Sequence, residues 1–137
     1  MENNIWKNYD FTIDNIQILI DEVMDDVIKQ FEQKCDTKFL LCQKEFSYFD
    51  NGKCYSLKII VPILGNYGKK IFTIYHEKNS DFYKIRNEIN NEEILSKSKT
   101  KSDLYSLIKN VTSNEKVVYA LKSLYNMVND SYDSLRK

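Results

Sequence analysis

The chain contains one histidine, His76, and three cysteines, Cys35, Cys42 and Cys54. Nucleophilic triads and most zinc sites require a histidine, so any such site here must include His76. Strand patterns place His76 in the same predicted sheet as Cys42 and Cys54, which would allow a Cys–His dyad or a three-ligand metal site. However, the spacing lacks a metal signature, and buried cysteines commonly act as small hydrophobic residues. We therefore interpret His76 as a structural residue at a strand end and predict no metal site.

Carboxylates are numerous enough to suggest a metal-dependent nuclease, which needs two or three of them converging on a cation. Glu45, Asp50 and Glu77 lie near the predicted sheet, and Lys78 follows Glu77. Asp50 is better explained by a turn, and the two glutamates by a solvated strand face. No glycine-rich run precedes a helix, so a phosphate-binding loop is not expected. The sequence consequently predicts a protein that is not an enzyme and has no cofactor.

The clearest periodic pattern is an amphipathic helix over residues 11–31. Its apolar residues recur at spacings of three and four, which places them on one side of a helix. Four carboxylates occupy the opposite side, at Asp14, Asp21, Asp25 and Glu32. Like charges at i and i+4 repel slightly, so the row costs the helix some stability and favours a use for it. The row either keeps the helix soluble or docks onto a basic protein surface.

Ten tyrosines are a second indication of a protein interface. Tyrosine is enriched at interfaces because it combines a large contact area with few rotatable bonds and a polar tip. Tyr9, Tyr48 and Tyr67 lie near predicted element ends and turns, where exposure is more common than in the core. We predict that these three side chains anchor a partner alongside the carboxylates.

Lysines near the middle of the chain suggest a different partner. Lys97, Lys99 and Lys101 alternate with serine and threonine in a polar stretch. Such lysines can contact phosphates, and binding of this kind weakens steeply with salt. A run of charges is more often a solvated loop, so nucleic acid is the alternative partner and the less favoured one.

Composition indicates a single domain spanning residues 1–137. The hydrophobic fraction of 42% and the aromatic fraction of 13% argue against disorder. Formal net charge is zero, which gives no overall attraction to nucleic acid or membranes, although residues 1–50 carry eleven acids against five bases. No signal peptide or membrane-length apolar run is evident. Together with an odd cysteine count, this predicts a cytoplasmic protein with free thiols and no membrane contact.

The elements that must position these residues follow from periodicity. A strand of about ten residues is predicted from Phe39. Asn51-Gly52 then predicts a tight hairpin turn built on positive φ angles. Further strands are predicted over residues 55–61, which read as central, and 70–76. Residues 82–89 fit either a fourth strand or a short helix, and residues 90–102 are interpreted as a surface loop.

Two helices complete the predicted fold. The first is expected to start at Ser102 or Asp103, and a capping-box pattern from Thr112 to Glu115 is expected to open the second. The last helix has an apolar stripe from Val117 to Leu135, with Tyr125 within it. The predicted fold class is α+β: a long N-terminal helix, an antiparallel three- or four-stranded meander, and two C-terminal helices packed on one face of the sheet.

These observations predict a small non-catalytic protein-binding module, for example an inhibitor, an immunity protein or an anti-defence factor. Eighteen lysines against two arginines are typical of an AT-rich genome, such as that of a low-GC bacterium or its phage. The partner is expected to be a protein whose identity the residues do not specify. Self-association into a homo-oligomer, through an exposed sheet edge or the last helix, is compatible with each alternative.

Overall fold

The computed structural model describes residues 15–135, with side chains described as far as residue 132. Residues in this range form three helices and five strands, and a short 3-10 turn at Pro62–Leu64 connects the second strand to the third. The elements are α1 (Asn15–Lys34), β1 (Leu41–Phe49), β2 (Gly52–Val61), β3 (Tyr67–Glu77), β4 (Tyr83–Asn87), β5 (Glu93–Ser96), α2 (Lys101–Thr112) and α3 (Glu115–Leu135). The predicted α+β class is confirmed, with five strands rather than three or four.

The five strands form one antiparallel meander in the order β1-β2-β3-β4-β5. β2 is therefore interior, as its apolar residues on both sides predicted, and β1 and β5 are the two edges. Residues 82–89 were predicted to form either a fourth strand or a short helix, and the strand is confirmed as β4. The interpretation of residues 90–102 as a loop was wrong, because Glu93–Ser96 pair with β4. That strand has only four residues, too few for a clear alternating pattern.

The β1–β2 hairpin turns one residue earlier than Asn51-Gly52 predicted. Phe49 faces Gly52, so Asp50 and Asn51 form the turn. Positive φ angles occur elsewhere, at Gly65 and at three asparagines, so the predicted left-handed turn was wrong. Glycine at position 52 is required for space. A Cβ there would overlap the carbonyl oxygen of His76 and lie 2.6 Å from the Phe49 ring.

The two faces of the sheet differ in burial. One face carries the core residues Leu57, Phe72, Ile74 and Ile85, and α1 and the two C-terminal helices cover it. The helices contribute apolar side chains to the same core: Ile16, Ile20, Val23, Met24, Leu104, Ile108, Val117, Leu124 and Val128. The opposite face is more polar and only partly open: Ser56 and Thr73 are buried at its centre and share a hydrogen bond of 2.9 Å, while ion pairs such as Lys84–Glu93 at 3.4 Å are exposed. The predicted packing of the helices on one face is therefore confirmed.

The start signals of the C-terminal helices differ from the predicted ones. The side chain of Thr100 accepts the backbone N–H of Asp103, so α2 starts before the predicted Ser102 or Asp103. Thr112 belongs to the last turn of α2, where its hydroxyl donates to the carbonyl of Ile108. Asn114 caps α3 by accepting the N–H of Lys116, so the capping-box interpretation was wrong. In α3, Tyr125 is exposed rather than part of the buried stripe.

Candidate functional site

A pair of short ion pairs joins α1 to the edge strand β1. Side chains alternate along β1, and Lys44 points toward the helix-covered face, where only 16% of its side chain is exposed. Its ammonium nitrogen lies 2.8 Å from Oδ1 of Asp21 and 2.8 Å from Oδ1 of Asp25. The two carboxylates are one helical turn apart, so a single lysine reaches both. We call this arrangement the Lys44 clamp.

Electrostatics favours the charged form of Lys44. Partial burial lowers the pKa of this ammonium group, but the hydrogen bonds and negative charges of Asp21 and Asp25 outweigh burial. The net result is a pKa raised above the ordinary lysine value of 10.5. The clamp is therefore intact at neutral pH and balances part of the acidic row predicted on α1.

Aromatic side chains continue the same line along β1. Phe46 and Tyr48 follow Lys44 on the same face of the strand, and Lys44 lies 4.9 Å from the centroid of the Phe46 ring. Lys53, on β2, lies 4.2 Å from Phe46, 4.9 Å from Tyr55 and 5.8 Å from Tyr48. These distances are in the range of cation–π attraction. Among these rings, Lys44 therefore contacts Phe46 alone, whereas Lys53 contacts all three.

Two of these three aromatic rings are exposed in spite of their contacts. Tyr48 is 81% exposed and Phe46 is 47% exposed, while Tyr55 beneath them is buried. Large exposed apolar side chains in one place usually mark a contact surface. Phe49, at the end of β1, is also exposed and borders an open hollow of about 820 Å³ at the hairpin end of the sheet.

The acidic row and the aromatic side chains form one continuous surface. Asp21, Asp25 and Glu32 are spaced by four and seven residues, so they lie within roughly 40° of one another around α1. The Lys44 clamp shows that this side of α1 faces β1, and Glu32 is exposed about 10 Å further along the helix. We call this surface the acidic–aromatic edge; it consists of Asp21, Asp25, Glu32, Lys44, Phe46, Tyr48 and Lys53.

Of the residues predicted to bind a partner, four lie on this surface: Asp21, Asp25, Glu32 and Tyr48. Tyr67 is exposed but starts β3 opposite Val61, at the far end of the sheet. Tyr9 and Asp14 lie outside the described residues. Sequence reasoning missed Lys44, Phe46 and Lys53. Lys44 and Phe46 alternate with Tyr48 in the sequence, but only the sheet order identifies β1 as an edge and places Lys53 opposite Tyr48.

The predicted nucleic-acid-binding lysines have acidic neighbours. Lys99 lies 3.1 Å from Asp81 and Lys101 lies 2.9 Å from Glu22, while Lys97 is exposed. The hydrogen bond and charge of Glu22 raise the pKa of Lys101. These pairs are solvent-exposed and therefore weak. They nevertheless place carboxylates beside two of the three lysines that would have to attract phosphate.

His76 and the cysteines are far apart or on opposite faces. His76 is fully buried, and its Nε2 lies 2.9 Å from the carbonyl oxygen of Ser80. Cys42 pairs with Ile59, whereas His76 pairs with Lys53, a separation of about 20 Å along β2. Cys54 is next to Lys53 and so points to the other face. The two cysteines and His76 therefore do not form a dyad or a shared metal site.

The Cys42 thiol is also in an environment that suppresses its reactivity. Burial, with smaller contributions from the charges of Glu32 and Cys35, raises the pKa of Cys42 to about 12. A thiol with this pKa stays protonated at neutral pH, and the thiolate is the nucleophilic form. Within residues 15–132, whose side chains the structure describes, no group of three histidine, cysteine or acidic residues is arranged to hold a metal ion.

Comparison of the chain with protein-family models, with curated proteins and with solved structures finds no match. Among the described helices, none has the length and apolar character needed to cross a membrane. The fold and surface together define an α+β domain that presents carboxylates and exposed aromatic rings along one sheet edge.

Proposed function

We propose that this chain is a non-catalytic protein-binding module that docks through the acidic–aromatic edge. The observation that carries the proposal is the Lys44 clamp, which joins the carboxylates of α1 to an edge strand bearing the exposed Phe46 and Tyr48. Protein interfaces commonly combine aromatic anchors with a charged rim. The acidic row would accelerate encounter with a basic partner, and the rings would contribute most of the contact area.

Binding of this kind would act by covering a functional surface of the partner. An inhibitor, an immunity protein or an anti-defence factor would act in this way. Cys35, Cys42 and Cys54 are all free thiols, which supports a reducing compartment such as the cytoplasm as the place of encounter.

Charge pairing favours a protein over nucleic acid as the partner. Lys99 and Lys101 have carboxylate neighbours, and the lysines of the more polar sheet face are paired in the same way, for example Lys58 with Glu45 at 3.6 Å. A phosphate-binding surface depends on an excess of positive charge. The acidic–aromatic edge instead combines a negative row with exposed rings, which suits a basic protein.

The test is capture of partners by tagged protein from lysate of the source cells. Wild type, Tyr48→Ala and Glu32→Lys would be compared with two control variants, Tyr119→Ala and Glu92→Lys. Tyr119 is 74% exposed on α3, and Glu92 is exposed in the β4–β5 turn, so both match the changed residues in exposure but lie away from the edge.

We expect one stoichiometric protein that wild type and both controls retain and that Tyr48→Ala and Glu32→Lys lose. Equal retention by all five proteins would refute docking through the acidic–aromatic edge. Recovery of nucleic acid alone, lost at moderate salt and after alanine substitution of Lys97, Lys99 and Lys101, would instead support the lysine stretch as the binding site.

A further inference from the structure

The edge strand β1 has a row of backbone groups that no described strand pairs with. Phe49 and Gly52 face each other across a two-residue turn, which makes them a hydrogen-bonded pair. Hydrogen-bonded and non-hydrogen-bonded pairs alternate along an antiparallel ladder. Lys44, Phe46 and Tyr48 therefore direct their N–H and C=O groups away from β2, toward the outer side of the sheet.

Edges of this kind usually carry a device that prevents another strand from pairing. β5 has only four residues and is followed by Lys97, which protects the opposite edge. β1 is nine residues long, and its inward-pointing charge is Lys44. Asp21 and Asp25 each lie 2.8 Å from that ammonium group. The clamp therefore neutralises the charge that would otherwise oppose strand addition.

The side of α1 that faces this edge determines which strand would fit. α1 carries five acidic residues against two lysines, Lys29 and Lys34. Asp25 and Glu32 lie on the β1 side of the helix, so every second side chain of an added strand would approach them. Lysine or arginine at those positions would complement the carboxylates, and their aliphatic stems would cover Phe46 and Tyr48.

A second copy of the chain fits this edge poorly. In an antiparallel pairing of β1 with β1 of another copy, a two-fold axis would bring the two α1 helices side by side on the same face. Their acidic rows would then face each other, and like charges in that position repel. The electrostatics of α1 thus favours a basic partner over self-association at this edge.

We propose that the partner contributes an extended segment with lysine or arginine at alternate positions, which adds to β1 as a sixth strand of the sheet. Backbone hydrogen bonds to Lys44, Phe46 and Tyr48 would provide affinity, and the basic side chains against Asp25 and Glu32 would provide specificity. This inference rests on the proposed function, because it names the partner and the binding mode of the same surface.

The test uses synthetic probes, so it does not depend on knowing the partner. The first probe is a capped nine-residue peptide that alternates lysine with valine; the second has glutamate in place of each lysine. The third is the lysine peptide with every second amide N-methylated. It is made in two forms, called phases, one methylated at the odd positions and one at the even positions. Whichever edge of the peptide faces β1, one phase blocks it. Calorimetry measures affinity for the full chain, and amide hydrogen exchange reports on Phe46 and Tyr48.

We expect the lysine peptide to bind and to slow exchange of the Phe46 and Tyr48 amides by about tenfold or more, as new sheet hydrogen bonds require. The glutamate peptide and one N-methylated phase should bind at least about tenfold more weakly, because they remove the charge match or the backbone pairing. The Tyr48→Ala variant should also bind the lysine peptide more weakly than Tyr119→Ala does.

Equal affinity of both N-methylated phases, or of the glutamate peptide, would overturn strand addition. Slow exchange of the Phe46 and Tyr48 amides in the unliganded chain would overturn it as well, since the edge would already be occupied. A dimer in light scattering that the peptide dissociates would assign the edge to a second copy. These peptide results test strand addition alone. The capture experiment tests the proposed surface separately, through the loss of the partner by Tyr48→Ala.

Discussion

The ammonium nitrogen of Lys44 lies 2.8 Å from the carboxylate of Asp21, and this contact crosses from the middle of α1 to the centre of an edge strand. The two residues are 23 positions apart in the chain, so their pairing fixes how the helix lies over the sheet. Because Asp25 shares the same ammonium group, the contact has two charge-assisted hydrogen bonds. The clamp therefore connects the fold of the protein with the surface that we propose for binding.

Lys44→Met should weaken the fold measurably. Methionine retains most of the aliphatic stem but removes both charge-assisted bonds, and Asp21 and Asp25 then repel each other. Since both carboxylates are about half exposed, solvent screening limits the expected loss to about 1 kcal/mol in the free energy of unfolding. Urea denaturation at pH 7 measures it. Lys58→Met is the matched control: its lysine is more exposed than Lys44 and makes a longer ion pair with Glu45, so the loss should be less than about 0.5 kcal/mol.

The clamp also has a defined pH dependence. The pKa of Lys44 is raised on folding, so its stabilising contribution is complete below the unfolded value of about 10.5 and is lost as the pH rises through the folded pKa. The difference in unfolding free energy between wild type and Lys44→Met should thus stay constant from pH 7 to pH 9 and shrink above pH 10.5. A difference that shrank already near pH 8 would contradict this assignment.

Much of the fold could be predicted from residue periodicity. The apolar repeat of α1 and the two-sided apolar pattern of β2 reflect burial directly, so both were readable. β5 was not, because Ile94 and Leu95 are its only apolar residues and both are exposed. The left-handed turn predicted at Asn51-Gly52 failed for a different reason. Gly52 is needed because it lies close to the His76 carbonyl on β3, and in the sequence this tertiary constraint looks the same as a turn preference.

The candidate site could be predicted only in part. Residue type and spacing were enough to select the acidic row and Tyr48. The roles of Lys44, Phe46 and Lys53 depend on which strand is an edge and on which helix covers it. Both are properties of strand order and packing, and a single sequence with no repeat or motif contains no local signal for either.

Gly52→Ala should destabilise the protein more than Gly65→Ala. At position 52 a methyl group meets the His76 carbonyl and the Phe49 ring, so the hairpin or β3 must move; we expect a loss of about 2 kcal/mol or more. Gly65 has a φ of 65° but no neighbouring atom within 4 Å of an added Cβ, so only backbone strain of about 1 kcal/mol is expected. Thermal unfolding distinguishes the two, and equal losses would show that space at position 52 is not limiting.

Cys42 should be the slowest of the three cysteines to react with iodoacetamide at pH 8. Its thiol is buried with a pKa of about 12, while Cys35 and Cys54 are partly exposed. A pKa raised on folding contributes stability that is complete below the unfolded value of 9.0 and decreases as the pH rises toward 12. Peptide mapping by mass spectrometry gives the order of labelling. Labelling of Cys42 as fast as Cys35 would mean that the core next to α1 opens readily.

Tyr48→Ala should leave stability almost unchanged, whereas Tyr55→Ala should unfold the protein or come close to it. Tyr48 is 81% exposed, so its removal should change the free energy of unfolding by less than about 0.5 kcal/mol. Tyr55 is 1% exposed in the same aromatic group, and deleting such a ring costs about 3–5 kcal/mol. Urea denaturation measures both variants.

The binding test with Tyr48→Ala depends on this contrast. If Tyr48 contributed to the fold, the variant could lose its partner only because the protein had unfolded. A loss above 2 kcal/mol for Tyr48→Ala would therefore remove Tyr48 as a test of the binding surface and make Tyr48 a structural residue of the β1–β2 hairpin.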